Sequence, residues 1–346
     1  MDKGEVILYF YIDQDHFPYD YHKELSIDDK QNSRVKAALS SADTWLLWPF
    51  RTYLELKDYY CCHLVDEMPQ EGIILFFRGS ISMDQQPLEK QFWICLVADS
   101  TWHPFSQVNI FQNREAAKTY KNGHFIRHWP SPGILRRTTP LVGIKCLYYM
   151  GDINNLTPEL KSEDWKNFLS DEGIRFICPT VESWSDYRDV DAVVAIRSFD
   201  GDPYLNKPAS KLINAWAGNV IVIGTNESAY LAETNDPHDM IRVDSYTQLK
   251  LILLQLRDDL ELARMYQSRS TEKSVKYSLD FFRDNWIRLI EDNIIPMTSV
   301  WTRKSRLDYR LYIIGRLFKK RFFSLQNHFR SRITNKITMY LKSRYE

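Results

Sequence analysis

The stretch 206–230, NKPASKLINAWAGNVIVIGTNESAY, gathers the residue types that hold an anion. At 100° per residue Lys207, Ser210, Lys211 and Asn214 fall within one arc of a helix, while Leu212, Ala215 and Trp216 share the other side. One face packs on a sheet and the other is cationic. The spacing predicts that Asn206 caps this helix and Pro208 fills its first turn, where a missing N–H is no loss. Cations near a helix N-terminus oppose the macrodipole. The two Lys are therefore either solvated surface residues or partners of an anion held there, and a pyrophosphate is the simplest that fits. After the strand VIVI, GTNESAY predicts a second helix start, capped by Thr225 or Asn226, with Glu227 and then Ser228 following. A carboxylate beside phosphate donors suits a nucleotide diphosphate together with the hydroxyls of ribose or a sugar.

Other candidates stand at strand ends and in a proline-rich crossing. Arg197 follows the strand DAVVAI, and its fork suits either a phosphate or a structural salt bridge. His124, Arg127 and His128 precede SPGILRRTTPLVG, and an imidazole can act as general base near neutral pH, although each His can equally be structural. Asp99, His103 and Arg78 are weaker acceptor-side candidates. Asp-x-Asp pairs at 200/202, 13/15 and 189/191 keep a metal-dependent alternative open, while Cys61–Cys62–His63 lacks a second pair at zinc-site spacing. The expectation is neither metal nor cofactor. GxGxxG, GxxxxGK[ST] and GxSxG are all absent from the sequence.

These residues need strands and helices to position them. Short β-rich runs (EVILYFY, HLV, GIILFF, FWICLVA, VNIFQ) alternate with helical patterns (SRVKAALSSA, TWLLWPFRTYLELK), and a second such series runs from KCLYYM through IRFIC, DAVVAI, VIVI and IRV. That is the grammar of an α/β fold. A chain of 346 residues is too long for one ordinary core. The expected division is an acceptor domain over 1–135, a donor-binding domain over 136–295 and a basic helical tail over 296–346. Each domain is expected to be Rossmann-like, with a cleft between them where helix N-termini point. Pro49 predicts a kink in the second helical run.

The formal charge of zero hides an asymmetry. Residues 303–346 carry thirteen Lys/Arg against two acidic residues, and the rest of the chain carries 32 basic against 43 acidic side chains. Within the tail, helical spacing lines up Leu311, Ile314, Leu317, Phe318 and Phe322 beside Arg310, Arg316, Lys319, Lys320 and Arg321. That pattern fits an anionic membrane surface, or a helix packed back across the domains. No motif for specific nucleic-acid binding occurs. No apolar run approaches the roughly 20 residues that span a bilayer, the start does not read as a signal peptide, and five Cys suit a reducing cytoplasm.

The motif KPxxKLxNAWxxxVxxIxxxESAY at 207–230 resembles a bacterial, largely cyanobacterial-type group of GT-B fold glycosyltransferases. HFIRHWPSPGILRR (124–137), YYMGDINNLTPEL (148–160) and WSDYRDVDAVVAIRSF (184–199) carry the same resemblance, which covers roughly residues 45–265. It implies transfer of a sugar from a nucleotide-sugar donor, held mainly by the C-terminal domain, to a glycan or lipid-linked acceptor. Location in the cytoplasm or at the inner face of the plasma membrane goes with that role. The resemblance matches Gly151 to the family's Gly beside the donor diphosphate. Asn214 stands near where many retaining members carry a ribose-binding Glu. The alternatives are a metal-dependent GT-A transferase and a non-catalytic sugar-nucleotide-binding or scaffold protein.

Overall fold

The structure, a computed structural model, describes residues 6–18 and 45–323. The predicted helix within 33–42 and the tail beyond 323 lie outside the described residues.

Six strands build the N-terminal sheet: β1 (Ile7–Tyr11), β2 (Cys61–Val65), β3 (Gly72–Phe77), β4 (Gln91–Leu96), β5 (Val108–Phe111) and β6 (Gly123–Phe125), in the order β2-β1-β3-β4-β5-β6. Every pair is parallel. All residues of β4 and β5 are buried, so β4 reads from Phe92 onward as an unbroken apolar run, while the polar Asn109 inside β5 is bonded to the His103 backbone. The three-residue β6 was not expected; it is too short and too near the prolines to carry a period. Helix α1 (Arg51–Leu56) continues from a π-helical turn, Leu46–Phe50, that contains Pro49. The predicted kink takes this form, because a widened turn spares the proline the i→i−4 bond it cannot make. Helix α2 (Arg114–Lys118) is capped by Asn113.

The C-terminal sheet has five parallel strands: β7 (Cys146–Tyr148), β8 (Arg175–Ile177), β9 (Ala192–Ala195), β10 (Ile221–Gly224) and β11 (Ile241–Arg242), ordered β11-β10-β9-β7-β8. Helices α3 (Glu163–Asp171), α4 (Ser210–Ala217), α5 (Ser228–Leu231), α6 (Tyr246–Asp258) and α7 (Leu260–Lys276) cover it. The first strand, β7, is flanked by β8 on one side and β9 on the other. The chain direction across the sheet thus reverses between β7 and β9, and ligands of open parallel sheets gather beyond the C-terminal strand ends at such a point. Two Rossmann-like α/β domains facing across a cleft are the fold class the sequence led us to expect.

The chain then returns to the first domain. Helix α8 (Leu279–Leu289) brings Arg283 within 3.2 Å of Glu55 and stacks Trp286 on Trp129. A further π-helical turn leads into α9 (Ile295–Thr302). A helix over 306–323 follows, and Tyr309 and Tyr312 donate hydrogen bonds from its inner face to the backbone oxygens of Pro87 (2.7 Å) and Phe105 (2.9 Å). The described tail thus packs back on the fold, but not through the apolar line singled out above. Leu311, Ile314, Phe318 and Phe322 are 48–68% exposed. No described helix is long and apolar enough to cross a membrane.

Candidate functional site

A cavity of about 360 Å³ opens between the domains at the β7/β9 reversal. The C-terminal domain supplies Gly151 just past β7, Arg197 just past β9, and Lys207, Ser210, Lys211 and Asn214 in and before α4. The opposite wall holds His128, Trp48, Phe77, Asp99 and Gln112. The predicted arc of polar residues on α4 does line the cavity, with Leu212, Ala215 and Trp216 buried behind it.

The helix starts later than expected. Ala209, without a side-chain bond, is its N-cap, and the first intrahelical bond runs from Ile213 N–H to the Ala209 carbonyl. Asn206 does not cap it, and Pro208 lies in the lead-in. The cause comes from the other domain. The buried Asn113 amide donates to Ser228 Oγ (2.8 Å) and to the Lys207 carbonyl (3.2 Å), holding the lead-in away from the helix path. Likewise Glu227 itself is the N-cap residue of α5, where Thr225 or Asn226 was predicted.

Among the cations of this wall, Lys211 has no carboxylate or hydrogen-bond partner in the described residues. Its Nζ lies 5.1 Å from the centre of the Tyr149 ring. Burial first, and then repulsion from Arg197, pushes it down to about 7. A Cβ on residue 151 would come within 2.9 Å of Lys211 Cε and Nζ, so only glycine lets the side chain lie across this turn. Arg197 is differently placed: it pairs with the buried Glu227 and reaches Tyr230 Oη at 3.5 Å. Burial would lower Arg197, but Tyr230 and Glu227 outweigh it and the guanidinium stays charged. Burial raises the Glu227 carboxyl, with Arg197 pulling the other way, and its Oε1 has no partner. Lys207 Nζ meets Asp99 across the cleft at 2.6 Å.

Two further residues expected to meet the donor, Asn214 and Ser228, are taken up within the protein. Asn214 Oδ1 accepts from Ser131 N–H (2.9 Å) and its Nδ2 donates to Ser131 Oγ (2.7 Å), so the amide both accepts and donates. Ser228 Oγ accepts from Asn113 and donates to the Pro203 carbonyl, and neither Ser228 nor Glu227 lines the cavity.

Of the three linker residues, only His128 reaches the cavity. Its Nδ1 is 2.5 Å from the Trp129 carbonyl, which can only accept, so Nδ1 carries the proton and Nε2 is left as a free base. Burial lowers its pKa. Arg127 is held by both oxygens of Glu233 at 2.9 Å and stacks on Phe125 and Phe281. His124 stands in β6 opposite Ile110. His124 is thus held in the sheet and Arg127 by its ion pair, and neither lines the cavity. His103 is wholly buried and pushed down to about 4 by burial, and Arg78 donates to the Ile81 carbonyl; neither joins the site. Asp200 accepts from Ser198 Oγ and Asp202 N–H, and Asp202 accepts from Tyr204 N–H, in a local turn. Among the described residues no three His, Cys, Asp or Glu side chains are grouped to hold a metal.

Sequence reasoning missed Asn113, Trp48, Tyr149 and Ser131. Gln112 Oε1 and the hydroxyls of Tyr149 and Tyr187 are also buried without partners around the cavity.

Comparison with protein families and with curated proteins finds no match. Among solved structures, HepE of Anabaena in complex with UDP and glucose has a TM-score of 0.48 at 7% identity, covering 83% of this chain and all of that one. TarM of S. aureus has a TM-score of 0.47 at 10% identity over 64% of this chain, which spans only 55% of TarM. The sucrose-phosphate synthase of Thermosynechococcus elongatus scores 0.44 at 12% identity over 73% of this chain and 78% of that one. The architecture of two Rossmann-like parallel sheets rests on the strand order itself.

Proposed function

We propose that this protein transfers a sugar from a nucleotide-diphosphate-sugar donor to a hydroxyl of a glycan or glycolipid acceptor. The observation that carries the reading is Lys211: a half-buried cation with no carboxylate in hydrogen-bond reach among the described residues, laid over Gly151 at the strand-order reversal, in a cavity that His128 faces. A diphosphate there supplies the missing charge. In the reaction His128 Nε2 takes the proton of the acceptor hydroxyl, the freed oxygen bonds to the anomeric carbon, and the bond to the diphosphate breaks. The charge growing on the leaving oxygen is met by Lys211, with the Arg197 guanidinium nearby. This chemistry needs no metal, so activity is expected to survive a chelator; loss restored by manganese would favour a metal-dependent transferase. TarM and HepE, whose structures hold UDP, are consistent with a UDP-sugar as the first donor to try.

The test is a thermal-shift screen of nucleoside diphosphates and their sugars. A ligand at 100 times its dissociation constant stabilises the fold by about 2.7 kcal/mol. If no nucleotide shifts the melting temperature, the donor site is refuted. A second reading, a protein that binds the donor without transferring it, is favoured by the commitment of the Asn214 amide to Ser131. Release of free sugar or glycosylated product from a bound donor separates the two.

We further propose that the region 303–346 rests on an anionic membrane surface, which would give a lipid-linked acceptor and a role in cell-surface polysaccharide synthesis. Supporting it are the exposed stripe on the helix 306–323 and its Lys/Arg flank. Sedimentation with anionic vesicles tests this.

A further inference from the structure

A groove of about 660 Å³ runs between α9, the helix 306–323 and the N-terminal ends of β4–β6. Phe92, Pro296, Met297, Val300, Trp301 and Leu311 make it apolar, and no carboxylate lines it. Across the same helix a second hollow of about 410 Å³ lies between Trp102, Tyr120, Phe318 and Phe322. Lys121, Arg316 and Lys319 border both, so three cations form a saddle between two apolar hollows. None of the three makes an ion pair among the described residues. Arg316 donates to the Ser106 carbonyl (3.3 Å) and stacks on Tyr312, contacts that leave its charge in place. Burial, then repulsion from Arg316 and Lys121, lowers the Lys319 ammonium. Behind the groove wall the buried Gln107 Nε2 and Trp301 Nε1 donate to nothing.

We infer that this saddle takes one anionic two-chain lipid, with the head group on Lys121, Arg316 and Lys319 and an acyl chain in each hollow. The inference rests on the membrane reading above and names what that surface recognises. A single anion with two apolar limbs matches cations flanked by apolar hollows. A peptide laid there would leave its backbone polar groups against a wall of rings and methylenes. The hollows also continue the exposed stripe, since Leu311 belongs to one and Phe318 and Phe322 to the other. A chain could leave the bilayer along that stripe without crossing water. Phe92, Gln107 and Asn122 mark the N-terminal ends of their strands, whereas Asp99 and Gln112 of the cleft lie beyond the C-terminal ends. The lipid is thus an anchor at the far end of the sheet, separate from the acceptor.

The substitution Gly315→Phe separates a groove from a merely sticky surface. A Cβ at Gly315 meets nothing within 4 Å, and replacing a helical glycine does not weaken the helix, so the ring fills the larger hollow without unfolding it. Full-length protein is sedimented with phosphatidylcholine vesicles with and without phosphatidylglycerol. The wild type should bind only the anionic vesicles, and Gly315→Phe should bind them about tenfold or more weakly, because the hollow no longer takes a chain. Lys319→Glu should also weaken binding, while nucleotide thermal shifts stay unchanged in both variants. A general apolar surface predicts the reverse for Gly315→Phe, since the ring adds area; equal or tighter binding overturns the groove and leaves the membrane reading standing. Failure of the wild type to sediment at all overturns both. Displacement by inorganic phosphate at the lipid's own concentration would show a free-anion site and also overturn the proposal.

Discussion

The two walls of the cleft are built from different chemistry. The C-terminal wall is made of charges in graded states of compensation: Arg197 matched by Glu227, Lys207 matched across the gap by Asp99, Lys211 matched by nothing. The N-terminal wall is made of rings, with His128 edge-on to Trp48 and anchored by the Trp129 carbonyl. In the proposed reaction the first wall binds and the second does the proton chemistry. A buried cation with a partner is a framework piece, and the donor is proposed to meet Lys211, which has no hydrogen-bonded carboxylate among the described residues.

If that division holds, His128→Gln gives the largest effect. Turnover should fall about a hundredfold to ten-thousandfold, the range for a lost general base, with donor affinity unchanged. A parallel loss of donor binding would place His128 on the wrong side of the division. Because burial lowers its pKa, the imidazole stays unprotonated below the usual histidine range, so the acid limb of the turnover profile should lie below that of a free imidazole.

Glu227→Gln tests the framework side. It leaves Arg197 buried without its counter-charge, and breaking a buried pair in this way costs about 3–5 kcal/mol. Denaturant unfolding should show that loss, and a much smaller one would mean that Arg197 is free to turn to the ligand.

Lys211→Met should do the opposite. Donor affinity should fall by about 1.5–3 kcal/mol, as for a lost charge-assisted hydrogen bond, while the unliganded fold is unchanged or more stable. The sign follows from the depressed pKa. Between about 7 and the ordinary lysine value the unfolded chain holds a proton that the folded one has released, so stability contributed by this group rises with pH across that window. Donor binding runs the other way: the ammonium that meets the diphosphate is present below about pH 7 and is lost above it, so affinity should weaken as pH rises. A pH-independent affinity would remove Lys211 from the donor site.

What could be read from the sequence was whatever depends on one element. The arc Ser210–Lys211–Asn214 and the α/β alternation are local patterns, and each is where the spacing put it, whereas Lys207 lies before the helix and Gly151 was given by the resemblance. What escaped depends on two domains meeting. Asn113 reads as an ordinary helix cap, and only the fold shows its amide reaching Ser228 and Lys207. The Asn214 amide looks like a weakened ribose contact until Ser131 is placed opposite it. The tail misled for another reason: both faces of the helix carry apolar groups, and Tyr309, Tyr312 and Ile313 won the inner side because the Tyr hydroxyls find backbone acceptors there.

The smallest expected effect lies where the two walls touch. Lys207 and Asp99 form the ion pair that spans the cavity, with side chains 25% and 52% exposed. A pair so open to water contributes at most about 1 kcal/mol and is screened by salt. A double-mutant cycle on Lys207→Met and Asp99→Asn should therefore give a coupling below that bound for unfolding. The same cycle read on donor affinity distinguishes two roles for Lys207. If the bridge only holds the walls together, the coupling for binding is as small as that for folding. If the diphosphate draws Lys207 away from Asp99, Asp99→Asn tightens donor binding while Lys207→Met weakens it. That outcome would move Lys207 from the framework to the binding side, leaving Asn113 as the polar contact described between the domains at this edge of the cleft.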